Sequence, residues 1–377
     1  MKRDVVAAQR LLARLLTDVQ ARRAWNIDPW GFASKYLSGR DEIAMIANLE
    51  GEGVAAAALH LDVKRVTSRS EVLPFAHPKK GEACRFQQPH GQFLRSPPSH
   101  PAPSPCVGLG YWPELYQSSA MKDLAEVWEL RIDDFLDPAS FDRLLSTMAQ
   151  ATVVIHSVDL SVGSPEATTD ARILGNMRCL LKAVGASELS DHLGFTRVAG
   201  VSLGHFQPIW RTQEALDLIA ENIMRLQDSL DVRIALENIA PLFDPGGEMT
   251  VAEFLNELVL RTGCGILLDI TNLTLTERNG YCDSAKEIAI LNLDAVVGVH
   301  LAGGTEFAGL AYDAHAFPVP DSDIAWLERI LPHLRKCRSV VVERDGRREE
   351  VSEVAADLQR VRMAVRRAGG KAESEHG

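Results

Sequence analysis

The segment 311–321, AYDAHAFPVPD, sets Asp313 and His315 two residues apart. In an extended chain such residues point to the same side, about 6.5 to 7 Å apart, within reach of one metal ion or of two adjacent ones. Alone the pair is weak evidence, because an Asp-x-His in a loop is ordinarily solvated. Elsewhere, however, seven apolar runs end in the same kinds of group: Glu129 with Asp133, His156, His192, Glu237 with Asn238, Asp269 with Asn272, His300, and Glu343 with Asp345. Asp269 is the clearest, following three aliphatic residues in ILLDITN. Carboxylates and imidazoles gathered in one place must be paired or hold a cation, since unpaired buried charge is costly. A nitrogen and oxygen set without thiolates suits iron, manganese or zinc rather than calcium or magnesium. There are more candidate ligands than one ion takes, which points to a cluster of two or three ions. Glu237 is the natural bridge, because a carboxylate binds through both oxygens.

The elements that would gather these residues begin at Cys106. Strand-length apolar runs at 106–111, 125–132, 152–160, 187–193, 232–240, 264–272, 295–303 and 339–345 alternate with helical patterns such as TQEALDLIAENIMRLQDSL and TVAEFLNELVLR. Eight such β–α units over roughly 260 residues have the size and rhythm of a (β/α)8 barrel. An open doubly wound sheet is the structural competitor. In a parallel barrel every strand's C-terminal end lies on one face, so residues distant in sequence converge on one mouth. The expected fold is therefore α/β, a TIM-type barrel over residues 106–370. It is preceded by a small all-α unit at 1–66, where VVAAQRLLARLLTDVQARRAW has helical spacing, and by a proline-rich linker at 67–105.

Composition narrows the class. The 377 residues are 46% hydrophobic and 24% charged, the balance of a soluble globular protein. The net charge is -11 and the basic residues are scattered, so no nucleic-acid partner is expected. Six well-separated cysteines without a CxxC indicate a reducing cytoplasm rather than a disulfide framework. The N-terminal MKRDVVAAQRLLARLL is interrupted by Gln9, Arg10 and Arg14 and reads as an amphipathic helix, not a signal peptide. With no apolar run of about 18 residues, no membrane span is expected.

The segments IHSVDLSVGS, LSDHLGFTR, IALENIA, LLDITNLTLTERNG, VHLAGG, DAHAFPVPD and VVERDG occur in the order and approximate spacing of the multinuclear non-haem iron-dependent oxidative enzymes, and residues 106–346 resemble that family. The resemblance implies a (β/α)8 barrel with two or three irons at its mouth, O2 as co-substrate, and oxidation of a ribosomally made precursor peptide, often at cysteine. Carried over motif by motif, it makes His156, His192, Glu237, Asp269, His300, Asp313, His315 and Glu343 ligands and Asn272 a ligand or a partner of one. Glu237, Asp313 and His315 are expected to take part directly in the chemistry. Two departures stand out. ELRIDDF replaces the more usual Glu-Asn-Tyr triplet after the second strand, so Asp133 and Asp134 reproduce it only in part, and Arg344 stands where an aromatic usually follows the last glutamate. The family's barrel usually works with a separate protein that recognises the peptide. Here the helical unit at 1–66 is either such a recognition element or a cap on the barrel. The rival functions are a metal-dependent sugar isomerase or phosphodiesterase on the same fold, and a non-catalytic peptide-binding protein.

Overall fold

A computed structural model describes residues 2–49, 52, 54–59, 94, 95, 97 and 104–374, apart from 166, 168, 169, 199 and 200. In chain order its strands are β1 (Cys106–Gly110), β2 (Val127–Arg131), β3 (Val153–His156), β4 (Glu188–His192), β5 (Phe195–Val198), β6 (Val201–Gln207), β7 (Arg233–Glu237), β8 (Gly265–Asp269), β9 (Val296–Leu301), β10 (Thr305–Phe307), β11 (Leu310–Tyr312) and β12 (Ser339–Val342). Eight of them close into a parallel barrel in the order β1-β12-β9-β8-β7-β4-β3-β2, which excludes the open sheet. The remaining four form two antiparallel hairpins, β5–β6 and β10–β11, inserted after the fourth and seventh barrel strands. Neither hairpin is expected from the sequence: β5 has four residues and β10 three, too short to display a period.

The helices follow their patterns. Gln213–Leu230 buries Leu216, Ile219, Ile223, Leu226 and Leu230 at three- and four-residue spacing, starts on a Thr212 cap and stops at Asp231, whose φ of 60° is left-handed. Val251–Thr262 opens on a capping box between Thr250 and Glu253 and ends at Gly263 with φ 68°.

Several strands end sooner than the apolar runs. β3 stops at His156, β8 at Asp269 and β12 at Val342, so Asn272 and Glu343 lie beyond their strands. At β8 the cause is local: the Asp269 carboxylate accepts a hydrogen bond from Asn272 N at 2.7 Å and caps the helix Ile270–Arg278, which starts on the next residue.

The N-terminal helices, Lys2–Thr17, Val19–Ile27, Pro29–Ala33 and Arg40–Ala47, pack on the barrel rather than standing away from it. Leu12, Leu15 and Leu16 are fully buried in a core continuous with that of the barrel. Gln9 Nε2 donates to Gly163 O at 2.8 Å, and the buried Trp210 indole donates to Met45 O at 3.0 Å. Of the expected linker, Arg95 bridges in parallel to Thr152, its N–H bonded to Ala151 O at 2.9 Å, so the chain touches the start of β3 there. The rest of 67–103, apart from residues 94 and 97, lies outside the described residues.

Candidate metal centre

His156, His192, Glu237 and Asp269 are each the last residue of a barrel strand; His300 is the fifth of six in β9, and Glu343 directly follows β12. Register brings them level, with His192 opposite Glu237 and Asp269 opposite His300. The loop bearing Asp313 and His315 reaches the same mouth because two glycines let it. A side chain at Gly303 would meet Phe317 O at 1.8 Å, and one at Gly304 would meet Tyr312 O at 2.9 Å. VHLAGG thus carries a histidine and the clearance for the loop above it. The loop is also clamped at its base, where the Asn279 side chain bonds both N and O of Ala311 at 2.7 and 2.9 Å. His315 itself has φ 49°, a left-handed conformation uncommon for a residue with a Cβ. Asp345 N donates to its carbonyl at 2.7 Å and helps hold it there.

The donors fall into linked groups. Glu237 Oε2 lies 3.6 Å from His156 Nε2 and 3.5 Å from His192 Nε2. Its other oxygen, Oε1, lies 3.2 Å from His300 Nδ1, which is 3.1 Å from Glu343 Oε2. Glu343 Oε2 is in turn 3.5 Å from His315 Nε2, beside which Asp313 Oδ2 stands at 2.6 Å. Two ligands each about 2.1 Å from one ion are about 3.0 Å apart at octahedral angles and about 3.4 Å at tetrahedral ones. The observed separations centre on that range. One set of donor atoms from His156, His192 and Glu237, and another from Glu237, Asp269, His300 and Glu343, each lie within 4.8 Å of one another.

Outside partners orient the imidazoles. His156 Nδ1 is 2.8 Å from Ser190 Oγ, His300 Nε2 is 2.8 Å from Glu129 Oε2, and His315 Nδ1 is 3.1 Å from Asp345 Oδ2. With each of these nitrogens held by an acceptor, the opposite nitrogen faces the pit, where a bound cation would take the place of its proton. His192 is fixed differently, its ring stacked on Phe206 with centroids 3.6 Å apart.

The electrostatics call for positive charge. Burial pushes the Asp269 carboxyl well above the usual carboxylate range, and the neighbouring Glu237, Asp313 and Glu343 push it further. Burial disfavours charge on His300, yet the carboxylates of Glu129, Glu343 and Glu237 raise it well above an ordinary histidine. His315 responds in the same way to Asp313 and Glu343. His192 goes the other way, lowered well below its usual value by burial and by His156. Buried Glu237 Oε2, Asp269 Oδ2, Asn272 Oδ1 and Asp313 Oδ1 have no hydrogen-bond partner among the described residues. Leaving that many acceptors unmade is expensive unless a cation meets them, so the residues fit a metal cluster.

All nine sequence candidates therefore meet at one mouth, with Asn272 one helical turn behind Asp269 and tied by Nδ2 to Asn238 O at 3.1 Å. Glu129 and Asp345 appear among the polar strand ends but not among the expected ligands; each holds a histidine of the centre. The signal for Glu129 is its place in VWELR, where the first four residues are all buried. Phe206, on the unanticipated β6, carried no signal.

Both departures resolve away from the cluster. Buried Asp133 accepts from Val158 N at 2.8 Å and Ser157 Oγ at 3.2 Å and so pins the loop after His156, while Asp134 is exposed and paired with Arg131. Arg344 turns from the mouth and is buried against Asp357 at 2.7 Å and Glu353 at 2.6 Å, anchoring the final helix, Val351–Ser374. Its identity does not line the pit.

Fold and donor set together define a (β/α)8 barrel with a carboxylate–imidazole centre at its C-terminal mouth. A family model described as RiPP precursor modification enzyme MbnB/TglH/ChrH matches residues 106–366, and the chain belongs to that family. A UPF0276 protein of Streptomyces avermitilis is 33% identical over 277 residues, covering 71% of this chain and 56% of that protein, so the chain spans only about half of this relative's length. A UPF0276 protein of Bordetella bronchiseptica is 30% identical over 281 residues, covering 71% of this chain and 96% of that protein. Among solved structures, an L-ribulose 3-epimerase aligns with a TM-score of 0.49 at 14% identity, over 72% of this chain and 98% of that one. A xylose isomerase-like TIM barrel protein from Mycobacterium smegmatis in complex with magnesium gives a TM-score of 0.49 at 12% identity, over 70% and 97%.

Proposed function

We propose that the chain is a multinuclear iron enzyme that uses O2 to oxidise a side chain, such as that of cysteine, in a ribosomally synthesised precursor peptide. The observation that carries this reading is the division of Glu237, whose two oxygens face different sets of donors. Membership of the family supports the peptide as substrate, and the thiolate-free donor set supports iron. His156, His192, Glu237, Asp269, His300, Asp313, His315 and Glu343 would hold two or three ions, with Asn272 Oδ1 available to one of them. Bound there, iron supplies the electrons and the O2 chemistry that no side chain of the pit provides.

The chain's own residues set the conditions. Glu129, Ser190 and Asp345 fix the imidazoles so that no reorganisation is needed when substrate arrives. Asp313 and His315 are the outermost donors, with side chains 19% and 16% exposed against 1% for Glu237 and none for His300. They are therefore the donors that the peptide meets first. Phe206, stacked on His192, and Tyr312, next to Asp313 in the chain, set two aromatic rings by the donors. Protein purified without oxygen should contain more than one iron per chain, and adding its peptide with oxygen should start oxygen consumption. Full activity with stoichiometric zinc would overturn the proposal.

A further inference from the structure

A second cavity of about 320 Å³ lies beside the metal centre, within the size range of small-ligand sites. Leu193 and Asn238 line it, and each is the residue immediately after a metal-ligand candidate, His192 and Glu237, so the two sites share a wall. Across the cavity Thr276 Oγ1 bonds Asn272 O at 2.6 Å, which ties that wall to the centre as well. The body of the cavity is apolar, formed by Leu193, Ile209, Ile239, Met249, Val251 and Leu273.

Its polar groups are unbalanced. Asp244, Glu248, Glu253 and Glu287 face one cation, Arg211. That guanidinium is already committed, forked onto Asp244 at 2.7 and 2.9 Å and donating from Nε to Met249 O at 2.8 Å. Glu253 accepts from Thr250 N at 2.8 Å, and Glu287 accepts from Ala252 N at 2.7 Å and from the Thr250 side chain, with the Arg211 charge near enough to act on it. Among the described residues that line the cavity, four carboxylates thus stand against one cation, with Glu248 and Glu253 exposed at its border and Glu287 buried. The surroundings register this: burial raises the Glu287 carboxyl, and the Cys282 thiol in the same wall is pushed up to about 12 by burial and by Glu287, Glu277, Asp283 and Asp244.

We propose that this cavity is a specificity subsite for an aliphatic side chain ending in a cation, a lysine or arginine that lies close to the reacting residue of the peptide. The apolar walls take the methylene stem, and Glu248, Glu253 and Glu287 take the charge. Because the cavity begins one residue from His192 and Glu237, and an extended chain advances about 3.3 Å per residue, the cation belongs to a residue within a few positions of the one oxidised. This inference rests on the reading of the substrate as a peptide, but its test reads binding alone and needs neither iron nor oxygen, so the two fail separately.

The full chain is titrated calorimetrically with N-acetyl-lysine-methylamide and with the corresponding norleucine and glutamate amides. The lysine amide should bind at least about tenfold more tightly than the norleucine amide. In the double variant Glu248→Gln, Glu287→Gln the lysine preference should shrink below about twofold while norleucine affinity holds, since only the charge is removed. Should that variant not fold, the single variant Glu248→Gln, whose side chain is exposed, gives an independent answer: the lysine preference should shrink in it while norleucine affinity holds. Equal binding of lysine and norleucine amides, no detectable lysine binding, or a preference that survives undiminished in the folded double variant or in Glu248→Gln would each overturn the proposal.

Discussion

Asp313 and His315 began as two polar residues in a proline-flanked loop, and their significance lies in what they face. His315 Nε2 looks toward Asp313 and Glu343 while Nδ1 is held by Asp345, the arrangement of a ligand whose tautomer has been set. His315→Ala and Asp313→Ala should each lower iron content and oxygen-dependent turnover by at least about tenfold, since even partners of ligands cost 10- to 100-fold when removed. His333→Ala, exposed at the opposite end of the barrel, should change neither quantity. Metal analysis and an oxygen electrode decide the matter. Wild-type values in both loop variants would take this loop out of the centre.

Among the elements, the turn after β3 shows how a buried carboxylate can position a site at a cost in stability. Asp133 is pushed up to about 6, because burial outweighs the hydrogen bonds from Val158 N and Ser157. In the unfolded chain the same carboxyl titrates near 3.8, so between about pH 4 and 6 the folded state holds a proton that the unfolded state has lost. Stability from this group is therefore greatest below that window and falls as pH rises through it, by about 3 kcal/mol in all. Asp133→Asn removes the titration. The unfolding midpoint of the variant relative to wild type should move in the variant's favour between pH 4 and pH 7 in urea titrations, and a difference independent of pH would contradict the assignment. Asp133 was visible in the sequence as a polar strand end, but its work in holding a neighbouring loop was not, because Val158 lies 25 residues away and only the parallel pairing of β2 with β3 makes them adjacent.

At the scale of the whole molecule, the N-terminal helices share the barrel's core. Leu12→Ala should cost about 2 to 5 kcal/mol, as truncation of a fully buried leucine does. Deleting residues 1–59 would strip the cover from Trp210 and break its bond to Met45, and we expect it to reduce soluble yield. That outcome would support the cap over the recognition element. Soluble, equally stable protein that had lost only peptide affinity would favour recognition instead.

The order of β–α units and the residues that end them were legible in the sequence, because burial imposes a local period and a charged group at the end of a buried run stands out against it. So were the nine candidates for the centre. Three things were not. Closure of the sheet depends on β1 pairing with β12, more than 200 residues on, which no local pattern encodes. Strands β5, β10 and β11 are too short to be periodic, yet the hairpins they form bring Phe206 onto His192 and carry the chain to Asp313. The partition of roles was hidden as well: Glu129 and Asp345 hold histidines, Arg344 turns to the last helix, and Glu237 divides its oxygens between two donor sets. Residue type and spacing determine which groups arrive at the mouth, but the direction each one points is set by contacts between strands far apart in the chain, and these exist only once the barrel has closed.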